Sequence, residues 1–448
     1  MTAVASSAGS GLARRRRSSE LGLGLLAILV TAGGYVLLLL ADGPELPPDL
    51  WVILTAVLGL LVIAHLAVRR LAPRADGTLL PIAALLNGIG FITISRLDRE
   101  LARIQSLWIA FGVGAFVLTL FLVRRVTVLE RYRYTFLFLG VGALLAPLVP
   151  GVGYEINGAR LWVGLGPLTF QPGEAAKVLV VIFFAAYLSD KRELLTAGTR
   201  RVAGMRLPDP KHLGPLLLAW GVSIIVMVRQ KDLGSSLLFF AVFSAMLYMA
   251  TERVAYLLAG LGLFVSGALV AYNLFDHVQV RVSTWLDPWP VADGDGFQIT
   301  QSLFAFGTGG FAGTGFGLGN PEKIPNASTD FVFSAVGEEL GLLGTVAVLI
   351  AFLLFVGTGF RIALQTDRPF SQLFAGGLTA IIGIQTFLIL GGVTRLIPLT
   401  GITLPFISYG GSSLVANFVI LALLLRISDE TATRAEQEAR RAAATIRR

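Results

Sequence analysis

An aspartate at position 330 is the residue of this 448-residue chain best placed for catalysis. Asp330 stands at the start of a long apolar segment and is flanked by Phe331 and Phe333. Ionisable groups at a membrane edge are unfavourable and therefore indicate function. A carboxylate that aromatic neighbours partly desolvate can serve as a general base. The alternative is that Asp330 only caps the helix that begins near Phe331.

A second group of charges surrounds the start of another apolar segment. Arg160 precedes it, and Glu174 and Lys177 lie in its first turns, within the string FQPGEAAK. Pro172 suits the first turn of a helix, where its missing N–H is not needed. Glu174 and Lys177 are three residues apart and therefore share one helix face. Either this pair neutralises itself inside the protein, or Arg160 and Lys177 offer positive charge to an anionic ligand.

Two more polar strings interrupt the apolar pattern. Lys231 and Asp232 belong to the string QKDLGSS, where Asp232 either caps the following helix or contributes to a polar pocket. Arg395, Ser408 and Ser412 belong to a stretch rich in Pro and Gly between two apolar segments. Broken backbone at membrane depth is tolerated where it lines a cavity, and the alternative is a plain outer loop. We count all five residues as candidate substrate-binding residues.

The composition defines the setting of these residues. The chain is 55% hydrophobic and only 14% charged, whereas soluble domains are about 25% charged. The long apolar runs are continuous, which predicts an all-α polytopic membrane protein and disfavours a β-barrel. Soluble, disordered, fibrous and nucleic-acid-binding classes are excluded. The chain has no Cys and three scattered His residues, so neither thiol chemistry nor a His-based metal cluster is predicted.

Hydropathy predicts about twelve transmembrane helices with cytoplasmic termini. The spans lie at 21–41, 51–68, 79–95, 106–123, 134–150, 172–189, 213–229, 233–250, 254–274, 334–360, 371–392 and 404–425. Segments on the N-terminal side carry 26 Lys and Arg residues and the opposite side carries 9, which places both termini in the cytoplasm. The first apolar run follows basic residues as a signal peptide would, but it is long and lacks a clear cleavage site. We therefore interpret it as a retained span.

The spans divide the chain into four parts. These are a basic cytoplasmic N-terminus at 1–20, two N-terminal helices within 21–78, a membrane core at 79–426, and a cytoplasmic tail at 427–448 that is either a solvated helix or disordered. The core contains one long outer loop at 276–333 whose Trp, Phe and Gly content argues against simple disorder. Its glycine-rich stretch at 307–319 either lets backbone amides approach a phosphate or packs a re-entrant turn.

Six strings resemble the SEDS family (shape, elongation, division and sporulation), the RodA/FtsW group. They occur in the order GARLW at 158–162, FQPGEAAK at 170–177, QKDLGSS at 230–236, GFQITQS at 296–302, TDFVFSAVGEELGLLG at 329–344 and PLTGITLPFISYGGSS at 398–413. The family core has ten spans, so two extra helices precede it here. These helices and the string from Gly391 to Arg395 are closer to the RodA branch of actinobacteria than to FtsW.

The resemblance implies a peptidoglycan glycosyltransferase acting at the outer face of the cytoplasmic membrane, in cell elongation and shape or in division. Its substrate as donor and acceptor would be lipid II, a disaccharide-pentapeptide on undecaprenyl pyrophosphate, and its partner a class B penicillin-binding protein. The family's catalytic carboxylate falls on Asp330, and its functionally important Glu and Lys fall on Glu174 and Lys177. Many relatives carry a further aspartate where this chain has Val291, with Asp293 and Asp295 nearby.

These assignments predict a mechanism. Asp330 would deprotonate the acceptor's 4-hydroxyl, and cations would stabilise the leaving pyrophosphate. Arg160 and Lys177 are the first choice for that role, with Lys231 and Arg395 behind them. A divalent cation could share the role, although no cluster of ligands predicts a site for it. The alternatives are a lipid II flippase and a non-catalytic scaffold for a transpeptidase, but the polar strings lie near the outer edge instead of the midplane where transporters bind substrates.

Overall fold

The computed structural model describes residues 2–42, 50–156, 159–165, 168–196, 200–202, 205–207 and 210–445. Most of them are helical. The helices are α1 (Thr2–Asp42), α2 (Leu50–Leu71), α3 (Leu79–Leu97), α4 (Arg99–Leu122), α5 (Thr127–Arg131), α6 (Arg133–Leu145), α7 (Pro172–Thr196), α8 (Pro210–Arg229), α9 (Leu233–Thr251), α10 (Val254–Leu274), α11 (Asp276–Leu286), α12 (Phe297–Gly309), α13 (Val332–Leu364), α14 (Pro369–Val393) and α15 (Gly411–Thr445).

The chain is a polytopic α-helical membrane protein, as the composition predicts. Nine helices among the described residues are long and apolar enough to cross a membrane. Two shorter apolar helices, Arg133–Leu148 and Gly214–Arg229, and helix α2 coincide with the other three predicted spans. Each of the twelve predicted spans therefore falls on a helix. Helix formation satisfies the backbone hydrogen bonds that a hydrocarbon surrounding cannot satisfy.

Short strands join some of these helices. Strands β1 (Gly153–Ile156), β2 (Ala159–Leu165) and β3 (Leu168–Phe170) form an antiparallel sheet between α6 and α7. Strands β4 (Arg200–Val202) and β5 (Met205–Leu207) form a hairpin between α7 and α8. The first sheet, which the sequence analysis does not predict, carries Arg160 on β2. Helix α7 begins at Pro172, as the sequence predicts.

The last predicted span, 404–425, is wrong at its start. Helix α15 begins only at Gly411 and runs unbroken to Thr445, so the tail as far as Thr445 is helical. The chain before it cannot be helical, because Pro405 lacks an N–H and Phe406 adopts a positive φ of 64°. The Ser408 hydroxyl takes up the Leu404 N–H at 2.8 Å, which satisfies one backbone group of this broken stretch.

The outer loop at 276–333 is built largely of helices α11 and α12 and of a glycine-rich turn. That turn packs against helix α13 where α13 is kinked at Gly341, whose φ of 63° and ψ of −161° suit glycine alone. A Cβ on Gly341 would lie 2.3 Å from the Gly313 nitrogen, so the two backbones touch. The structure therefore favours the packing interpretation of the glycines over phosphate binding.

The two N-terminal helices pack on the core separately. Helix α1 lies along α3, and Tyr35 packs on Phe91 with ring centroids 5.4 Å apart. Helix α2 lies along α4. The outer end of α1 also reaches the glycine-rich turn, since a Cβ on Gly317 would meet the Cβ of Ala41 at 2.9 Å. Both helices thus border the core without lying at the candidate site.

Candidate functional site

Four segments distant in sequence meet at the Asp330 end of α13. The guanidinium of Arg281 on α11 donates through Nη1 to the carbonyl oxygens of Leu399, at 3.0 Å, and Thr400, at 3.3 Å. The stretch before α15 holds the turn that carries Asp330, because the Tyr409 N–H donates to the Ser328 carbonyl oxygen at 2.8 Å. These hydrogen bonds connect the stretch 398–413 both to α11 and to the turn that carries Asp330.

A cavity of about 130 Å³ lies where these segments meet. Its polar lining comes from Arg281, Thr284, Asp295, Gln298, Asp330 and Arg395. Because Asp295 is solvent-exposed, the cavity reaches the protein surface beside the outer loop at 276–333, which we also call the outer segment. Of the predicted site residues, the structure therefore brings Asp330 and Arg395 together in one cavity.

Asp330 is half-buried and keeps its carboxylate free for chemistry. No side chain caps α13, so the capping interpretation of Asp330 does not hold. The Thr329 hydroxyl lies 2.8 Å from Oδ1 of Asp330 and donates to it. Burial raises the pKa of Asp330, while the Thr329 hydroxyl, the residue's own backbone N–H and the charge of Arg281 oppose that rise. A carboxylate with a raised pKa that faces a cavity has the properties of a general base.

Arg281 is the site residue that the sequence interpretation passed over. Burial lowers the pKa of its guanidinium, and the charges of Asp232 and Asp330 act against that effect, so the cation lies near both carboxylates. It forms no ion pair with either of them in the described part of the chain. The spacing of Arg281 and Thr284, three residues apart at the start of the outer segment, could have indicated this shared helix face.

Arg395 is the second cation of the cavity. Its φ is 60°, and its guanidinium donates to the carbonyl oxygens of Trp285, at 2.8 Å through Nε, and Leu286. The indole N–H of Trp285 donates in return to the Arg395 carbonyl oxygen at 3.2 Å. This reciprocal pair of contacts fixes the end of α14 against α11. Carbonyl oxygens hold both cavity arginines without cancelling their charge.

Lys231 and Asp232 border the cavity without lining it. Asp232 caps α9 by accepting the Ser235 N–H at 2.9 Å, which confirms the capping interpretation. Burial raises the pKa of Asp232, against the hydrogen bonds from Ser235. Lys231 is exposed, and its charge acts on His277 of α11. Substrate contact by either residue stays a prediction.

Glu174 and Lys177 lie inside the helix bundle, away from the cavity. Lys177 is 4% exposed, and its ammonium group lies 2.8 Å from the Glu174 carboxylate and 2.9 Å from Oε1 of Gln385. The geometry is that of a buried pair that neutralises itself, the first of the two interpretations above. A substrate role for the pair stays a prediction.

The remaining candidates bond to backbone. Arg160 on β2 donates to the Gly153 carbonyl oxygen at 3.5 Å. The Ser408 hydroxyl donates to the Thr329 carbonyl oxygen as well as accepting the Leu404 N–H, and so positions the turn before Asp330. The Ser412 hydroxyl accepts the Gln171 N–H at 2.8 Å. The structure does not place these three side chains on the Asp330 cavity, and their contact with substrate stays a prediction.

Thr284 is a cavity residue with an unusual hydroxyl. It is 5% exposed, and its oxygen has no hydrogen-bond partner among the described residues. A buried polar group left unsatisfied costs about 1–3 kcal/mol, so its retention calls for a reason. Asp295 also lines the cavity, whereas Val291 does not. No three His, Cys, Asp or Glu side chains of the described ranges come together as a metal site requires, and a divalent cation stays a prediction.

Comparison with known proteins places the chain in a family. Residues 79–433 match the cell cycle protein family of FtsW, RodA and SpoVE, and the chain belongs to that family. It is 46% identical over 424 residues to the peptidoglycan glycosyltransferase RodA of Mycobacterium tuberculosis, covering 92% of this chain and 90% of that protein. It is 34% identical over 377 residues to a probable peptidoglycan glycosyltransferase FtsW of Nitrosococcus halophilus, covering 80% and 93%.

Solved structures show the same fold. A crystal structure of the rod shape determining protein RodA of Thermus thermophilus matches with a TM-score of 0.56 and 28% identity, covering 79% of this chain and 96% of that one. A chain from a peptidoglycan synthase complex, described as coordinating polymerization and crosslinking, matches with a TM-score of 0.65 and 29% identity, covering 80% and 98%. These matches support the resemblance that the six strings predict.

Proposed function

We propose that this chain, a peptidoglycan glycosyltransferase of the RodA/FtsW family, polymerises lipid II at the outer face of the cytoplasmic membrane with Asp330 as the general base. The single observation that carries the proposal is the half-buried Asp330 carboxylate, which lines a surface-reaching cavity together with Arg281 and Arg395. The Lys and Arg distribution supports cytoplasmic termini and a cavity on the outer side.

The chemistry is a displacement at the anomeric carbon of the donor. The acceptor's 4-hydroxyl oxygen forms the new bond to that carbon while the carbon–oxygen bond to the lipid diphosphate breaks. The hydroxyl proton passes to Asp330, and the bonding electrons leave with the diphosphate. A positioned base contributes about 10²–10⁴-fold to such a step. Arg281 and Arg395, which line the same cavity, stabilise the negative charge that develops on the leaving group.

A partner follows from the same comparison. One structural neighbour is a chain of a peptidoglycan synthase complex that coordinates polymerization and crosslinking. We infer that this chain pairs with a class B penicillin-binding protein, which crosslinks the strands that it makes. Elongation of the cell is the role favoured by its 46% identity to RodA proteins.

The test is polymerisation of lipid II by the full-length chain in detergent, purified with and without a class B penicillin-binding protein. We expect Asp330→Asn to lower glycan synthesis at least about 100-fold, because amide nitrogen and oxygen cannot take the proton. The matched control is Asp293→Asn, an exposed aspartate of the same outer segment that does not line the cavity. Asp293→Asn should polymerise lipid II at the parental rate. Both variants should elute from size-exclusion chromatography at the parental volume.

Near-parental polymer from Asp330→Asn would overturn the base assignment. Absence of polymer from the parent protein itself, under conditions where it binds lipid II, would instead favour a flippase or a scaffold. Detergent micelles have no second compartment, so a flippase can show no activity there.

A further inference from the structure

One face of α11 carries polar groups that the protein itself leaves without full partners. Arg281 and Thr284 are three residues apart, one helical turn, and both line the Asp330 cavity. The Thr284 hydroxyl is buried and, in the part of the chain that the structure describes, has no hydrogen-bond partner. Threonines of other helices, such as Thr93 and Thr300, donate to the carbonyl oxygen of the preceding turn. Thr284 departs from that habit on the face of α11 that lines the cavity.

The guanidinium of Arg281 is fixed in place yet keeps its charge. Nη1 is held by the carbonyl oxygens of Leu399 and Thr400, which are neutral. The other terminal nitrogen, Nη2, faces Gly401, which also lines the cavity. A donor group that is already immobilised loses little entropy when an anion binds.

Arg395 adds a second fixed cation across the same space. It is clamped to the end of α11 by the reciprocal contacts with Trp285. Two guanidinium groups and one hydroxyl therefore border a cavity of about 130 Å³, which has room for a polyatomic group instead of a single water. Paired guanidinium groups suit phosphate oxygens in particular.

The structure assigns to Arg281 and Thr284, together with Arg395, an anion subsite that holds the leaving diphosphate of the sugar donor. This assignment rests on the proposed function. When the bond between the anomeric carbon and the phosphate oxygen breaks, the electron pair stays on the diphosphate, and the two guanidinium groups offset its charge. The Thr284 hydroxyl donates to a phosphate oxygen. The subsite takes over the role that sequence patterns gave to Arg160 and Lys177, neither of which lines the cavity.

Thr284 supplies the sharper experiment because two variants separate its hydroxyl from its shape. Thr284→Val removes only the hydroxyl, and Thr284→Ser keeps it. We expect the Val variant to lower the turnover number for lipid II about 10-fold or more while its melting temperature stays equal or rises. The Ser variant should stay within about 3-fold of the parent. If the Thr284 hydroxyl binds no ligand, Thr284→Val should turn over lipid II at the parental rate. That result would overturn the assignment.

Arg281 is tested by binding as well as turnover. In the Asp330→Asn background, which cannot react, we expect Arg281→Gln to weaken binding of farnesyl diphosphate at least about 10-fold. The control is Arg103→Gln, because Arg103 is an exposed outer arginine that pairs loosely with Glu100. Inorganic diphosphate should compete with the probe if the subsite reads phosphate, whereas farnesol should not. Competition by farnesol alone would show that only the lipid tail binds, and would overturn the assignment.

The two proposals fail in different ways. Polymer made by Asp330→Asn would overturn the assignment of Asp330 as the general base, but it would not affect the result of the diphosphate-binding measurement. The alternative outcome is that Asp330→Asn makes no polymer while Thr284→Val and Arg281→Gln keep parental rates. That outcome would overturn the anion subsite and leave the base assignment intact.

Discussion

Helix α7 and the Asp330 cavity both bury charge in this membrane protein, but they do so in opposite ways. In α7, Lys177 is matched by a carboxylate three residues away, and the two charges cancel. At the cavity, backbone carbonyl oxygens hold both cations: Arg281 donates to the non-helical stretch before α15, and Arg395 donates to the last turn of α11. A neutral partner satisfies the N–H groups of a cation without removing its charge. The comparison teaches that the partner of a charge, and not its burial, decides whether the charge is available to a ligand.

The largest expected effect comes from breaking the α7 pair. Lys177→Met leaves the Glu174 carboxylate without its counter-ion, and losing one partner of a buried pair costs about 3–5 kcal/mol. We therefore expect a marked drop in the melting temperature of the purified protein. The double variant Glu174→Gln/Lys177→Met removes both charges and should recover most of that loss. A double variant as unstable as the single one would show that the pair does more than neutralise itself.

The next effect concerns the backbone that shapes the outer segment. Gly341→Ala forces a side chain into a conformation reserved for glycine and toward the Gly313 nitrogen. The strain alone costs about 1–3 kcal/mol, so the melting temperature and the polymerisation rate should both fall. Gly173→Ala in the regular helix α7 is the matched control, since its Cβ would meet only the Leu144 side chain at 3.9 Å. If Gly341→Ala and Gly173→Ala lowered the melting temperature equally, the special backbone requirement at Gly341 would be contradicted.

The smallest expected effect concerns the pKa of Asp330. The Thr329 hydroxyl donates to the charged form of Asp330 and thereby holds its pKa down. Thr329→Val removes that donor, so the pKa of Asp330 should rise further. A base must be unprotonated, and activity is lost as the pH falls through its pKa. The acid limb of the pH–rate profile should therefore move to higher pH. A limb that moves toward lower pH would refute the sign of this coupling.

Sequence reasoning located most of the framework and part of the site. The twelve spans follow from runs of apolar residues, because each residue adds its own transfer free energy to a span. Asp330 follows from its position at the edge of such a run and from the TDF string. Hydropathy misplaces the start of α15, because the apolar run continues through Pro405 whereas the helix begins only at Gly411.

Arg281 and Thr284 were missed for a different reason. They lie on a short helix in an outer segment whose hydropathy is unremarkable. Their three-residue spacing places them on one helix face, but nothing local shows that this face lines a cavity. Their significance depends on Leu399, which lies 118 residues further along the chain.

The sequence by itself determined the membrane class, the order of the spans, the family strings and the carboxylate at position 330. Only the tertiary structure decided which charges face a cavity and which cancel within a helix. The physical reason is that hydropathy is a sum over neighbouring residues, whereas the state of a buried charge depends on the atoms around it. In this chain those atoms come from segments that meet only after the helices have packed.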